Sequence, residues 1–138
     1  MIMANEGVLT KKAKSMLTKS ERKFVSKKID KLKVERICGH CKDREFERGV
    51  VYDKQKFENE INWGTFIELQ KYDDGTTRYL FRGKEVLHKT QKGDANVVFV
   101  VVAGQNEVRS CWLNNVNDHH ETLDTSIYDE NVEIWNWI

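Results

Sequence analysis

The chain contains no proline. Cis peptide bonds are essentially confined to proline, since other residues lose ~2.5–4 kcal/mol in that geometry, so folds built around a cis-proline are excluded. Cysteine is scarce, and three residues, an odd number, make no disulfide framework. Long apolar runs are missing too. The longest spans 97–103, the length of one strand, whereas a membrane helix needs ~20 residues. Residues 1–9 lack a charged region followed by a long apolar one, so no signal peptide and no membrane partner are expected, and the cytoplasm is the expected compartment. Net charge is only +1 although 33% of residues are charged, which argues against a disordered polyelectrolyte. At 138 residues and 39% hydrophobic content, the chain can bury one core but not two.

The balanced total hides an asymmetry. Residues 11–36 hold eleven Lys or Arg against Glu21, Asp30 and Glu35. Residues 104–138 hold seven acids against Arg109 alone. A basic front half attracts phosphate, and an acidic tail repels it or covers the basic surface. The plainer reading is two solvated faces of opposite sign.

Residues 1–17 read as an extended basic N-terminal segment. Leu9, Ala13, Met16 and Leu17 have the spacing of an extra helix near its end. Thr18-Lys19-Ser20-Glu21 is a capping box, and Phe24, Val25, Ile29 and Leu32 behind it predict an amphipathic helix over 18–32. Val34, Ile37, Cys38 and Cys41 predict a second helix ending near Arg48, with Gly49 placed to close it. Asp53 is placed to cap a third that buries Phe57 and Ile61.

Beyond residue 62 the period changes to two. Strands are expected at 65–70 and 77–82, joined through Asp73-Asp74-Gly75, then at 85–88, 97–103 and 108–113. Residues 97–103, apolar throughout, suit a central strand covered on both faces. The segment 114–138 reads as a tail that begins as loop and ends at 134–138 in a strand or aromatic plug. Helices over 18–62 followed by a mostly antiparallel sheet of four to five strands over 63–113 imply one α+β domain.

Cys38-Gly39-His40-Cys41 is similar to the active-site string of protein disulfide isomerases, where a helix N-terminus stabilises the first thiolate. Two features separate this chain from that family. A charged helical stretch replaces the apolar strand before the motif, and the cis-proline opposite the dithiol has no counterpart. Zinc is an alternative: Cys38, His40 and Cys41 could join Cys111, or His119 or His120, as four ligands. No second C-x-x-C pair accompanies them, and a lone cysteine on a strand is usually a small buried hydrophobe.

His40, Arg44 and Arg48 stand four apart, so on a helix they form one polar stripe beside the apolar one. An imidazole between guanidinium groups suits phosphodiester chemistry. It can move the 2′-hydroxyl proton or protonate the leaving oxygen, while arginines grip the phosphate. Spacing alone equally describes a solvated face paired with Asp43, Glu45 and Glu47. The string from His40 to Val50 resembles the H-x-x-x-R-x-x-x-R-G-[IV] helix of small RelE/barnase/EndoU/colicin-like domains, many of them RNase toxins. The resemblance covers roughly residues 34–113. It implies His40 and Arg44 as catalytic or phosphate-contacting groups, Arg48 in support, and Ser110 and Asn114 as the late polar residues of the sheet.

Further candidates are weaker. Arg78 and Arg82 alternate with Tyr79 and Phe81, a pattern that could bind phosphate and stack a base, or could be ordinary sheet alternation. Lys23, Lys27 and Lys28 on the first helix are the other expected nucleic-acid contacts. Asp118 with His120 is a second acid–base pair, within a segment whose Asn and Asp also suit a plain loop.

Three functional readings follow. The leading expectation is a metal-independent endoribonuclease without a cofactor, a toxin or mobile-element effector acting on RNA. The alternatives are a non-catalytic phage or plasmid factor that contacts a protein partner, such as an antitoxin or a host enzyme, and a zinc-stabilised nucleic-acid-binding module.

Overall fold

The computed structural model describes residues 7–39, 53–118 and 127–138. The chain opens on strand β1, Val8–Ala13, and a short 3-10 turn at Lys14–Met16. Helix α1 (Lys19–Asp30), the two-residue strand β2 (Arg36–Ile37) and helix α2 (Lys54–Asn59) follow. The rest of the sheet comes from β3 (Phe66–Tyr72), β4 (Thr77–Arg82), β5 (Leu87–Thr90), β6 (Gly93–Val102) and β7 (Glu107–Asn115). Among the described residues these strands form one seven-stranded sheet in the order β1-β3-β4-β6-β7-β2, with β5 pairing β6 off that path.

The α+β class is as expected, but two details are corrected. The sheet has seven strands rather than four or five. Its first strand precedes every described helix. The pairing is mostly antiparallel, as expected; among the named strands β2 alone runs parallel to its neighbour, with Arg36 opposite Glu107 and Ile37 opposite Val108 of β7. The helical spacing at Leu9, Ala13, Met16 and Leu17 misleads because β1 spends its alternation on lysines. Lys11 and Lys12 point to opposite faces and are 3% and 2% exposed, each meeting a buried acid. Residues 36–37, expected to be helical, are held as strand by β7, the Cys38 amide donating to the Val108 carbonyl.

Local signals elsewhere are realised. The Glu21 amide donates to the Thr18 hydroxyl while the Glu21 carboxylate accepts from the Thr18 amide, closing the capping box. Glu21, Val25 and Ile29 then form the buried stripe of α1 at spacing four. Asp53 accepts from the Lys56 amide at the start of α2, which buries Phe57 completely. In the β3–β4 hairpin, Gly75 takes φ +86°, and the Asp74 carboxylate accepts from the Thr76 amide and hydroxyl.

One face of the sheet carries Leu69, Tyr79, Phe81, Phe99 and Val101, and the main core forms between it and α1, α2 and Ile134 of the tail. Phe57 meets Phe99 with ring centroids 5.0 Å apart. Two bulges keep this face apolar where strict alternation would break it. One lies between Phe66 and Glu68, the other opposite Val100 and Val101. The other face carries a smaller cluster of Leu80, Val98 and Val100, with Ile67 and Trp112 against it.

The buried pair of Lys12 and Glu21, 2.9 Å apart, ties β1 to α1 and makes stability depend on pH. Burial raises the Glu21 carboxyl pKa, but the Lys12 ammonium and the Thr18 amide and hydroxyl outweigh it, and the net shift is below the ordinary 4.5. A carboxyl depressed on folding adds stability above its unfolded value and loses it as pH falls through the folded one. The urea midpoint is therefore expected to drop as pH is lowered below about 4.5, and the drop should be shallower in Glu21→Gln.

Candidate functional site

The polar residues on the second face of β4, β6 and β7 gather at one end of the sheet. Ser110, Trp112 and Asn114 alternate outward on β7, opposite Val100, Val98 and Asn96 of β6. Arg82, the last residue of β4, lies opposite Val98 on the same side. Its Nε donates to Asn96 Oδ1 at 3.0 Å, Nη1 to the Asp118 carbonyl at 2.5 Å, and Nη2 to the Asn115 carbonyl at 2.8 Å. In the amide orientation that satisfies both of its ends, Asn114 donates to Asp118 Oδ2 at 3.0 Å and accepts from Arg82 Nη1 at 3.1 Å.

Three residues singled out from sequence, Arg82, Asn114 and Asp118, thus meet in one network. Its geometry corrects the role expected for Arg82. A guanidinium committed to two backbone carbonyls and two amide oxygens fastens the loop after β7. Ser110 sits four residues back along β7, ~13 Å from Asn114 at strand spacing.

Arg78 is likewise engaged. It stacks 3.6 Å over the Tyr72 ring, donates to Thr76 Oγ1 and pairs with Asp74 at 3.1 Å. Tyr79 and Phe81, the aromatic half of that pattern, are 2% and 0% exposed on the core face, so no base can stack on them. The basic and aromatic residues of β4 face opposite ways, as ordinary sheet alternation requires. Lys23, Lys27 and Lys28 are exposed on α1, with Lys28 Nζ 5.5 Å from the Phe24 ring centroid.

His40, Cys41, Arg44, Arg48, His119 and His120 lie outside the described residues. Of the remaining zinc candidates, Cys111 is buried in the main core and Cys38 packs at its margin. Among the described residues no group of three His, Cys, Asp or Glu is placed to hold a metal ion.

Sequence reading missed a buried polar network on the same face of β1 and β3. Glu68, 1% exposed, lies 3.1 Å from Lys11 Nζ, and its carboxylate accepts from Gln70 Nε2 at 2.9 Å and from the Tyr128 hydroxyl. The Tyr72 hydroxyl donates to Gln70 Oε1 at 3.2 Å. A carboxylate this enclosed and this well supplied with donors holds the fold together, clasping the tail to the sheet edge. No local pattern announces it, because Lys11, Glu68 and Tyr128 are distant in sequence.

Comparison of the chain with known protein families, curated proteins and solved structures returns no match. Among the described residues no helix is long and apolar enough to cross a membrane.

Proposed function

We propose that the chain is a small endoribonuclease, a cytoplasmic toxin or mobile-element effector that cleaves RNA by attack of the 2′-hydroxyl on the adjacent phosphorus. The supporting observation is the polar end of the second sheet face, where Asn114 is held between Arg82 and Asp118 on the strand that also carries Ser110 outward. In this reading His40 is the acid–base group, moving the 2′-hydroxyl proton or protonating the leaving oxygen. Arg44 and Arg48 grip the phosphate and offset its developing charge. Ser110 and Asn114 contribute hydrogen bonds to the substrate, and Arg82 acts on the chemistry only through the loop it fastens. Asp118 with His120 is the second acid–base pair. Proton transfer and charge stabilisation suffice for this reaction, so it needs no metal.

The test is incubation of the purified protein with end-labelled RNA in excess EDTA, beside His40→Ala. The expected result is cleavage leaving 2′,3′-cyclic phosphate ends, slowed at least ~10²-fold in the variant. Intact RNA with both proteins, or equal cleavage by both, would overturn the proposal.

A further inference from the structure

Where the end of β1 meets α1 and the turn before β3, an open groove of about 430 Å³ lies outside the polar network of Glu68. Ala13, Lys14 and Ser15 at the end of β1, Arg22 in α1, and Trp63, Phe66 and Ile67 line it. Its composition is specific. The lining holds two cations and an indole and no acid, and a third cation stands beside it. Lys84 Nζ lies where a side chain on Gly64 would begin, 3.0 Å from the position of an added Cβ. The Glu60 carboxylate accepts from the Lys84 backbone amide at 2.9 Å and is not part of the lining.

The cations are held in place. Lys14 Nζ donates to the Trp63 carbonyl at 2.5 Å and sits 4.7 Å from the centroid of the Trp63 ring. Arg22 Nε donates to the Leu17 carbonyl at 3.2 Å, which aims the guanidinium while its terminal nitrogens have no protein partner among the described residues. Trp63 is braced by Phe66, the two rings stacked with centroids 5.6 Å apart. Burial lowers the Lys14 pKa first, and the like charges of Lys84 and Arg22 lower it further. Like charges gathered around a lining that itself holds no acid favour an anion there.

We propose that this groove is a binding subsite for single-stranded RNA, in which Lys14, Arg22 and Lys84 contact backbone phosphate and the base rests against the edge of Trp63 and the Ile67 side chain. Cations that track a backbone, beside an aromatic wall, are the combination by which single strands are bound without regard to sequence. The volume falls in the range of small-ligand clefts, suited to one nucleotide of a longer strand rather than to a duplex. The proposal does not depend on the catalytic reading. A protein that binds strands here without cutting them would satisfy it.

The test uses a fluorescein-labelled 2′-O-methyl decauridylate, which cannot be cleaved by 2′-hydroxyl attack, so binding is read apart from catalysis. The full chain is compared with Arg22→Gln/Lys84→Gln and, as a charge-matched control, Lys89→Gln/Lys92→Gln at the tip of the β5–β6 hairpin. Thermal melts of each protein establish that it is folded. The groove variant is expected to bind at least ~10-fold more weakly, and its slope of log affinity against log salt should be shallower by ~1.4, two phosphate contacts at ~0.7 each. The control should stay within ~2-fold. An equal loss in both variants, or none in the groove variant, overturns the site. A deca-glutamate peptide that competes as well as unlabelled oligonucleotide overturns the assignment to nucleic acid.

Discussion

Replacing Glu68 by Ala is expected to lower the stability of this protein by ~3–5 kcal/mol, the range found when one partner of a buried ion pair is removed. The figure follows from what is left behind. Lys11, 3% exposed, would keep its ammonium in a site whose compensating carboxylate, 3.1 Å away, had gone. The Gln70 amide and the Tyr128 hydroxyl would each lose the acceptor they share. Desolvating an unpaired charge outweighs any relief from removing the carboxylate. The double variant Lys11→Met/Glu68→Leu takes both charges out and should recover most of the loss, to within ~2 kcal/mol of the parent. Urea denaturation of the parent, Lys11→Met, Glu68→Leu and the double completes the cycle, with Glu68→Ala measured beside them. A Glu68→Ala variant within ~1 kcal/mol of the parent would show that Lys11 reaches solvent at little expense and that the network is not a clasp.

The same network marks where sequence stops being informative. Signals settled within a few residues are legible: Thr18 with Glu21, Asp53 with Lys56, and Asp74 and Gly75 in the hairpin each act through a local backbone bond. The long apolar run of β6 also declares itself, because both faces of the sheet are covered there by Phe99 and Val101 on one side and Val98 and Val100 on the other. β1 is not legible. Its lysines read as solvated until Glu68 and Glu21 are brought to them, and those acids lie on two different elements. β2 is two residues long and exists only by pairing with a strand some 70 positions later.

The candidate site divides the same way. Type and spacing marked Arg82, Asn114 and Asp118 as polar residues worth attention, but not that Arg82 would spend its donors on the carbonyls of Asn115 and Asp118. Arg22 and Lys14 went unnoticed beside the exposed Lys23, Lys27 and Lys28. Only the turn carrying Trp63, folded against the end of β1, sets them apart from other cations.

Truncation after Asp124 should unfold the chain or leave it only marginally stable. Read as sequence, the tail resembles an acidic, tryptophan-rich arm available to a partner, yet residues 127–138 are built into the domain. Ile134 is fully buried in the main core. Lys12 Nζ donates to the Val132 carbonyl at 2.7 Å, and the Thr10 hydroxyl to the Ile127 carbonyl at 3.0 Å. Tyr128 pairs with Lys11 as an isolated parallel bridge while its hydroxyl meets Glu68. Trp135 touches Phe24 edge to face, ring centroids 5.2 Å apart, and is 43% exposed. Deleting the segment opens a cavity where Ile134 was, strips the Val132 acceptor from buried Lys12 and takes the Tyr128 donor from Glu68, a combined loss of at least ~5 kcal/mol set against a typical total of 5–15. Ile134→Ala isolates the packing part and should cost about 3 kcal/mol, on the order of 10 °C in Tm, whereas Trp135→Ala should cost under ~1. Circular dichroism melts of the three variants provide the comparison. A truncated chain that melts within a few degrees of the parent would mean that the tail's contacts add almost nothing. The 127–138 segment would then be free to serve a protein partner, and the non-catalytic reading would gain what the ribonuclease reading loses.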